Sequence, residues 1–213
     1  FWGQVAGSAR YDLDKAERAY RKALAAKPGI LLGHYQLSRV YFIKGKFDSA
    51  LDEINKELEA TPENLRSLYV RGLIYGASGQ LAKAEEDFKS FTGWAPKEWA
   101  GYNDLAWILL KEKKYKEAES VIFGAFANAF DADKNPWLWN NYGVAKLNLH
   151  DYPGAEAAFK IAKTFALGLA LKDWQSVYPG NNPESAKQGL NAFLAALDKN
   201  LLKAMSRIVP VDK

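Results

Sequence analysis

Cysteine is absent from the chain. That excludes disulfides, thiolate metal sites and a cysteine nucleophile. Histidine is nearly absent too, with only His34 and His150, and neither has a His, Asp or Glu three or four residues ahead to complete a metal-binding helix face. No apolar run approaches the roughly eighteen residues that cross a bilayer. The stretch FALGLAL at 165–171 is far too short. Glycine-rich phosphate loops are missing. The acidic groups Asp52-Glu53 and Glu85-Glu86-Asp87 have ordinary surface spacing and are expected on exposed helix faces. No catalytic residue, metal ligand or cofactor is therefore assigned, and the chain is not expected to be an enzyme.

What is present is an ordinary globular composition. Of 213 residues, 48% are hydrophobic and 25% charged, enough to bury a core. The net charge of +4 is a mild excess, and the basic stretch KEKKYKE at 111–117 contains two glutamates. A solvated turn accounts for it better than a phosphate-binding patch, so nucleic acid is not an expected partner. The chain opens at Phe1. The expectation is that a segment precedes it, a signal peptide or membrane anchor being the candidates. The domain itself is expected to be soluble, either cytoplasmic or anchored and facing the cell envelope.

The chain repeats. Pro28, Pro62 and Pro96 are 34 residues apart, and so are Ala16, Ala50, Ala84 and Ala118, with Ala155 following after 37. Twelve residues before the last four alanines stand Ser38, Gly72, Ala106 and Gly143, all small. Four after the five alanines stand Tyr20, Ile54, Phe88, Ile122 and Phe159. The second repeat reads His34-x2-Leu37-Ser38-x2-Tyr41, then Ala50-x3-Ile54, then Pro62. The third reads Leu68-x2-Arg71-Gly72-x2-Tyr75, then Ala84-x3-Phe88, then Pro96.

This pattern resembles the tetratricopeptide repeat family, with about five consecutive repeats over residues 1–168. The resemblance implies an all-α fold, an α-solenoid wound as a right-handed superhelix of helical hairpins. Physically, residues at i, i+3, i+4 and i+7 share one helix face, and the small residues let paired helices approach closely. Gly45 and Gly79 end first helices in a left-handed turn, and the prolines stop second helices. Helices are expected at 12–27, 31–44, 47–60, 64–78, 81–94, 98–112, 115–129, 136–149 and 152–168. Residues 1–170 form the solenoid, with an earlier helix remnant carrying Trp2 and Val5. Residues 171–213 form a loop and a capping helix that starts at Asn182, with Pro183 in its first turn.

Some positions depart from the pattern. Glu57 and Phe91 stand where Ala23, Ala125 and Ala162 stand in other repeats. Lys113 and His150 replace the turn glycine, and Lys146 replaces the first-helix tyrosine. The fourth repeat lacks its closing proline and has three extra residues within ANAFDADKNP.

In the family the first helices line the concave face. That puts Leu32, Tyr35, Arg39 and Phe42 on it, then Arg66, Tyr69, Leu73 and Gly76, then Ala100, Asn103, Trp107 and Leu110, then Trp137, Asn140, Val144 and Leu147, with Asp104 and Asn141 flanking. The candidate partner-binding residues are Tyr35, Arg39, Phe42, Arg66, Tyr69, Leu73, Asn103, Trp107, Leu110, Asn140, Asn141 and Val144. Tyr, Trp and Arg dominate protein-binding hot spots. The arginines suit a carboxylate, and the asparagines suit a peptide backbone. Trp2, Trp94, Trp99, Trp139 and Trp174 are expected between repeats. The family's chaperone-binding carboxylate clamp, Lys/Asn/Asn/Lys/Arg, is not formed: its positions hold Tyr35, Arg39, Val70, Ala100 and Asp104, or Tyr69, Leu73, Asp104, Trp137 and Asn141. The leading expectation is a non-catalytic scaffold that binds another protein or peptide in the groove. The alternatives are an apolar, lipid-like small ligand in the aromatic part of the groove and, with least support, RNA.

Overall fold

The computed structural model describes residues 12–170 and 183–207. These are α-helical throughout, apart from turns and one short 3-10 turn. In chain order the helices are α1 Leu13–Ala26, α2 Gly33–Ile43, α3 Phe47–Ala60, α4 Leu65–Ala77, α5 Leu81–Trp94, α6 Trp99–Lys111, α7 Tyr115–Asn128, α8 Pro136–Asn148, α9 Tyr152–Leu167 and α10 Pro183–Met205. The expectations for residues 1–11, for the loop after 170 and for Asn182 lie outside the described residues. Two compact units divide within α5, one ending at Asp87 and the other running from Phe88 and including α10.

Each helix is stopped by local chemistry. Lys27 and Thr61 precede prolines and turn extended (φ −147° and −142°), ending α1 and α3. The tips of the hairpins share one turn. The N–H groups of Lys46, Gln80, Lys114 and Asp151 reach back five residues to the carbonyls of Tyr41, Tyr75, Leu109 and Lys146. The residue before each is left-handed: Gly45, Gly79, Lys113 and His150, with φ of 71°, 80°, 61° and 62°. This is the Schellman closure, so Lys113 and His150 hold a glycine conformation at a cost of about 1 kcal/mol each.

The helix starts differ. Asn64 caps α4 by accepting from the N–H groups of Arg66 and Ser67, and Asn135 caps α8 in the same way. The matching position before α2 is Ile30, which cannot accept. α2 therefore begins at Gly33 rather than near 31, and Leu32 is left-handed (φ 59°). The α2 terminus is capped from another helix instead: the Glu57 carboxylate on α3 accepts the Tyr35 N–H at 3.2 Å. That is the reason a buried glutamate replaces the usual alanine.

The small residues act as expected. Ser38, Ala50, Ala84, Ala106, Ala118 and Ala155 have no exposed surface, and Gly72 and Gly143 are buried. Ser38 is more than small, since its hydroxyl donates to the Ala50 carbonyl at 2.7 Å across the hairpin. At Gly143 a Cβ would lie 2.5 Å from the Phe159 ring. Phe91 is accommodated by the reciprocal change: Gly101 faces it, and a Cβ there would meet the ring at 2.4 Å.

In the first compact unit α1, α2, α3 and α4 pack in succession around Leu24, Leu37, Tyr41, Ile54 and Ile74. Arg71 on α4 forks onto the buried Asp87 carboxylate at 2.9 and 2.7 Å and reaches Asn55 on α3. Asp87 and Glu85, expected on a solvated face, are 4% and 8% exposed. Lys44 closes α2 onto α1 through Asp14 and Glu17.

In the second unit α6 to α9 repeat the arrangement. The extra residues after α7 form the 3-10 turn Ala132–Lys134, which tucks Ala132 into the core before Pro136 opens α8. Lys146, in place of tyrosine, bridges Glu119 on α7 and Asp151 at the start of α9. Trp99 and Trp137 stack at 5.9 Å, and Trp139 packs on Phe126 at 4.6 Å, whereas Trp94 is 74% exposed rather than packed between repeats. α10 packs against α8 and α9: Phe193 stacks on Trp137, Asn200 donates to Asn140, and Leu197 joins the cluster of Leu147 and Phe159.

Candidate functional site

The inner face of each compact unit is built from the first helices of its hairpins. In the first unit α2 and α4 lie side by side. Tyr35 is buried, and the Arg39 guanidinium sits 5.5 Å from its ring centroid. Both belong more to the core than to a free surface. Phe42 is half-buried against Phe47. On α4, Arg66 is exposed in the first turn, and Tyr69 and Leu73 are half-buried one and two turns on. The strip that faces solvent is thus Phe42, Arg66, Tyr69 and Leu73.

Charge in this unit is mostly paired. The Lys44 ammonium, through its hydrogen bonds, holds the Asp14 and Glu17 carboxyls below their usual range, and its own pKa is raised in return. Burial pushes Glu53 up, but hydrogen bonds from Lys56 and His34 outweigh it and leave the carboxyl below its ordinary value. His34 is thereby engaged structurally. Among the described residues no group of three or more His, Asp or Glu could hold a metal ion.

In the second unit the asparagines are used internally. Asn141 on α8 donates to both the backbone and side-chain oxygens of Asn103 on α6, at 3.2 and 3.1 Å, and both residues are 7% exposed. The Asn103 amide in turn donates to Asp104. Asn140 accepts from Asn200, and Val144 packs against the cluster that includes Leu197, so α10 lies against α8. Of the four residues expected to meet a partner, Asn103 and Asn141 are buried against each other, and Asn140 and Val144 are half-buried beside α10. The physical reason is that α10 takes the place of a further first helix. What remains open is α6: Trp107 is 39% exposed, Leu110 is half-buried beside it, and the Lys111 ammonium lies 4.7 Å over the Trp107 ring.

The hairpins, their 34-residue period and their small-residue contacts agree with the family comparison. Residues 9–64 and 65–98 match models described as tetratricopeptide repeat. The chain is a tetratricopeptide repeat protein. It is 31% identical over 105 residues to the TPR repeat-containing protein MJ1428 of Methanocaldococcus jannaschii, an alignment covering 49% of this chain and 18% of that protein. It spans less than a third of the length of the curated relatives it matches. Among solved structures, a tetratricopeptide repeat protein from Parabacteroides merdae superposes with a TM-score of 0.64 at 20% identity, covering 94% of this chain and 75% of the other. YrrB, described as a TPR protein with an unusual peptide-binding site, superposes with a TM-score of 0.60 at 14% identity, covering 90% and 98%. Likenesses at this identity show the fold.

Tetratricopeptide repeats are in general a non-catalytic scaffold that binds other proteins or peptides. Among the described residues of this repeat protein no helix is long and apolar enough to cross a membrane. Of the pairings that sequence reasoning missed, Glu57 with Tyr35 and Phe91 with Gly101 leave one signal, a residue breaking the repeat's own pattern, whereas Asn103 with Asn141 leaves none.

Proposed function

We propose that this repeat protein binds an extended peptide or a helix of another protein along the inner face of its first helices. The observation that carries the reading is Trp107, a large aromatic left 39% exposed on α6 where a scaffold of this family presents its ligand face. In the first unit Phe42, Tyr69 and Leu73 form a comparable surface of their own, with Arg66 exposed on the same helix as Tyr69 and Leu73. Such side chains offer large contact area at modest entropy cost. The peptide-binding site named for YrrB, a structural neighbour, points the same way. Asn103, Asn140, Asn141 and Val144 act in this reading as the frame holding α6 and α8 in place.

The test is selection from a random peptide library displayed on phage, with the whole chain as bait. Enriched peptides are expected to lose at least about tenfold in affinity to W107A or Y69A while helicity is unchanged. Enriched peptides that bind both variants as tightly as the parent would place the site elsewhere.

A further inference from the structure

We infer that the α6 portion of this face selects an acidic segment, seating an apolar side chain on Trp107 and Leu110 and a carboxylate on Lys111. The inference rests on the peptide-binding reading above and adds the chemistry of the partner.

Three observations carry it. First, the Lys111 ammonium is held over the exposed Trp107 ring at 4.7 Å, and among the described residues it takes no carboxylate partner. This contrasts with Lys44, Lys56, Lys134, Lys146, Lys160 and Lys163, each of which has one. A cation placed on an aromatic face is partly ordered before any ligand arrives, so less side-chain entropy is lost when an anion meets it. Second, residues 111–117, from the end of α6 to the start of α7, carry Lys111, Lys113, Lys114 and Lys116 against Glu112 and Glu117, and Glu112 is already engaged by Lys114. The field at this end of the helix is positive and favours an anionic approach. Third, the nearest acidic side chain earlier on α6 is Asp104, which receives the Asn103 amide. It stands seven residues before Lys111, about 10 Å along the axis. The face is therefore polar along its length. The ligand's carboxylate belongs at the Lys111 end, with the apolar anchor next to it and no acid opposite Asp104.

Trp107 and Lys111 sit one helical turn apart. A ligand whose apolar and acidic residues are adjacent on one face, two apart in an extended strand or three to four apart in a helix, meets both. A carboxylate without the apolar neighbour gains only a surface ion pair, worth little on its own.

The peptide library reads this directly. Peptides enriched on the parent chain should carry Asp or Glu next to Leu, Phe or Trp. A fluorescein-labelled peptide of Glu and Leu should bind at least about tenfold more tightly than the same scaffold with Lys for Glu. K111Q should weaken the Glu-Leu peptide about threefold, and K111E about tenfold or more, with the charge preference reversed. Salt should weaken the parent's binding more than that of K111Q. Trp107 and Lys111 are both accessible, so W107A and K111Q are expected to keep the parent's circular dichroism and melting point. Peptides enriched without acidic residues, or acidic peptides indifferent to K111E, overturn the inference, and if they still depend on Trp107 or Tyr69 the scaffold reading stands. A library yielding no binder that depends on Trp107 or Tyr69 overturns both.

Discussion

Replacing Gly143 by alanine sets two effects of opposite sign against each other. Gly143 lies inside α8, where alanine is favoured by about 1 kcal/mol on helix propensity. Propensity alone thus predicts stabilisation. The structure predicts the reverse. The added methyl would stand 2.5, 2.6 and 2.9 Å from three ring atoms of Phe159, which has no exposed surface and is fixed among Leu147, Ala162 and Leu197. Overpacking of a well-filled core costs about 1–3 kcal/mol, and a ring with no free side belongs near the top of that range. The net expectation is a loss of about 2 kcal/mol, which lowers the melting point by about 4–8 °C for a chain of this size. Gly124 in α7 is the control. Its nearest neighbour would be Tyr102 at 3.5 Å, an ordinary contact, so Gly124→Ala should raise the melting point by about 2–4 °C. Thermal melts followed at 222 nm and urea midpoints measure both. Phe159→Leu in the Gly143→Ala background should recover part of the loss. If Gly143→Ala melts at or above the parent, close approach at this small position does not hold the hairpin together.

Glu57→Ala should cost about 1–2 kcal/mol although alanine is the usual residue there, because α2 loses its only observed side-chain cap. Faster amide exchange at Tyr35 would locate the effect, and Glu57→Gln should cost about half as much. Lys113→Gly and His150→Gly should each gain about 0.5–1 kcal/mol by relieving a left-handed backbone, and Gly45→Ala should lose about 1 kcal/mol although open space surrounds it. Urea midpoints of the three decide the matter, and no gain at either site would show that those turns are not strained. Asp14, Glu17 and Asp151 have folded pKa values lowered from the ordinary 3.8, 4.5 and 3.8. Their contribution is therefore complete above the unfolded values and is lost as pH falls through the folded ones. Melting points should hold above about pH 5.5 and decline below about pH 4.5. The decline should be shallower in Lys44→Met, and an identical acid limb would show that Lys44 does not perturb Asp14 and Glu17.

The repeat period made most of the fold legible. Prolines and alanines at intervals of 34 place α3 at 47–60 and α5 at 81–94, where they are found, because each marks a local requirement: a broken helix or a close contact. Such requirements recur in each repeat and so leave a periodic trace. The features not legible are pairings between particular residues. Ile30 at a capping position gives no hint that Glu57 supplies the cap. Asn103 and Asn141 look like a ligand-facing pair when each is read on its own helix. Only the distance between α6 and α8 shows that they satisfy each other. The same holds for Asp87, whose burial depends on Arg71 standing opposite. On the candidate face, the position of Trp107 was legible from the helix period, whereas its exposure depends on what does not cover it.

The Asn103–Asn141 pair has a bearing on how freely repeats of this chain can be exchanged. Tetratricopeptide hairpins invite shuffling, since neighbours meet through similar small and apolar positions. Here one junction is keyed. A hairpin other than α8–α9 placed after α6–α7 would strand an amide in a dry seam unless it brought its own matching amide, a penalty of about 1–3 kcal/mol. The order of the hairpins is thus written into the junctions as well as the chain, and a rearranged array would have to carry both halves of that lock together.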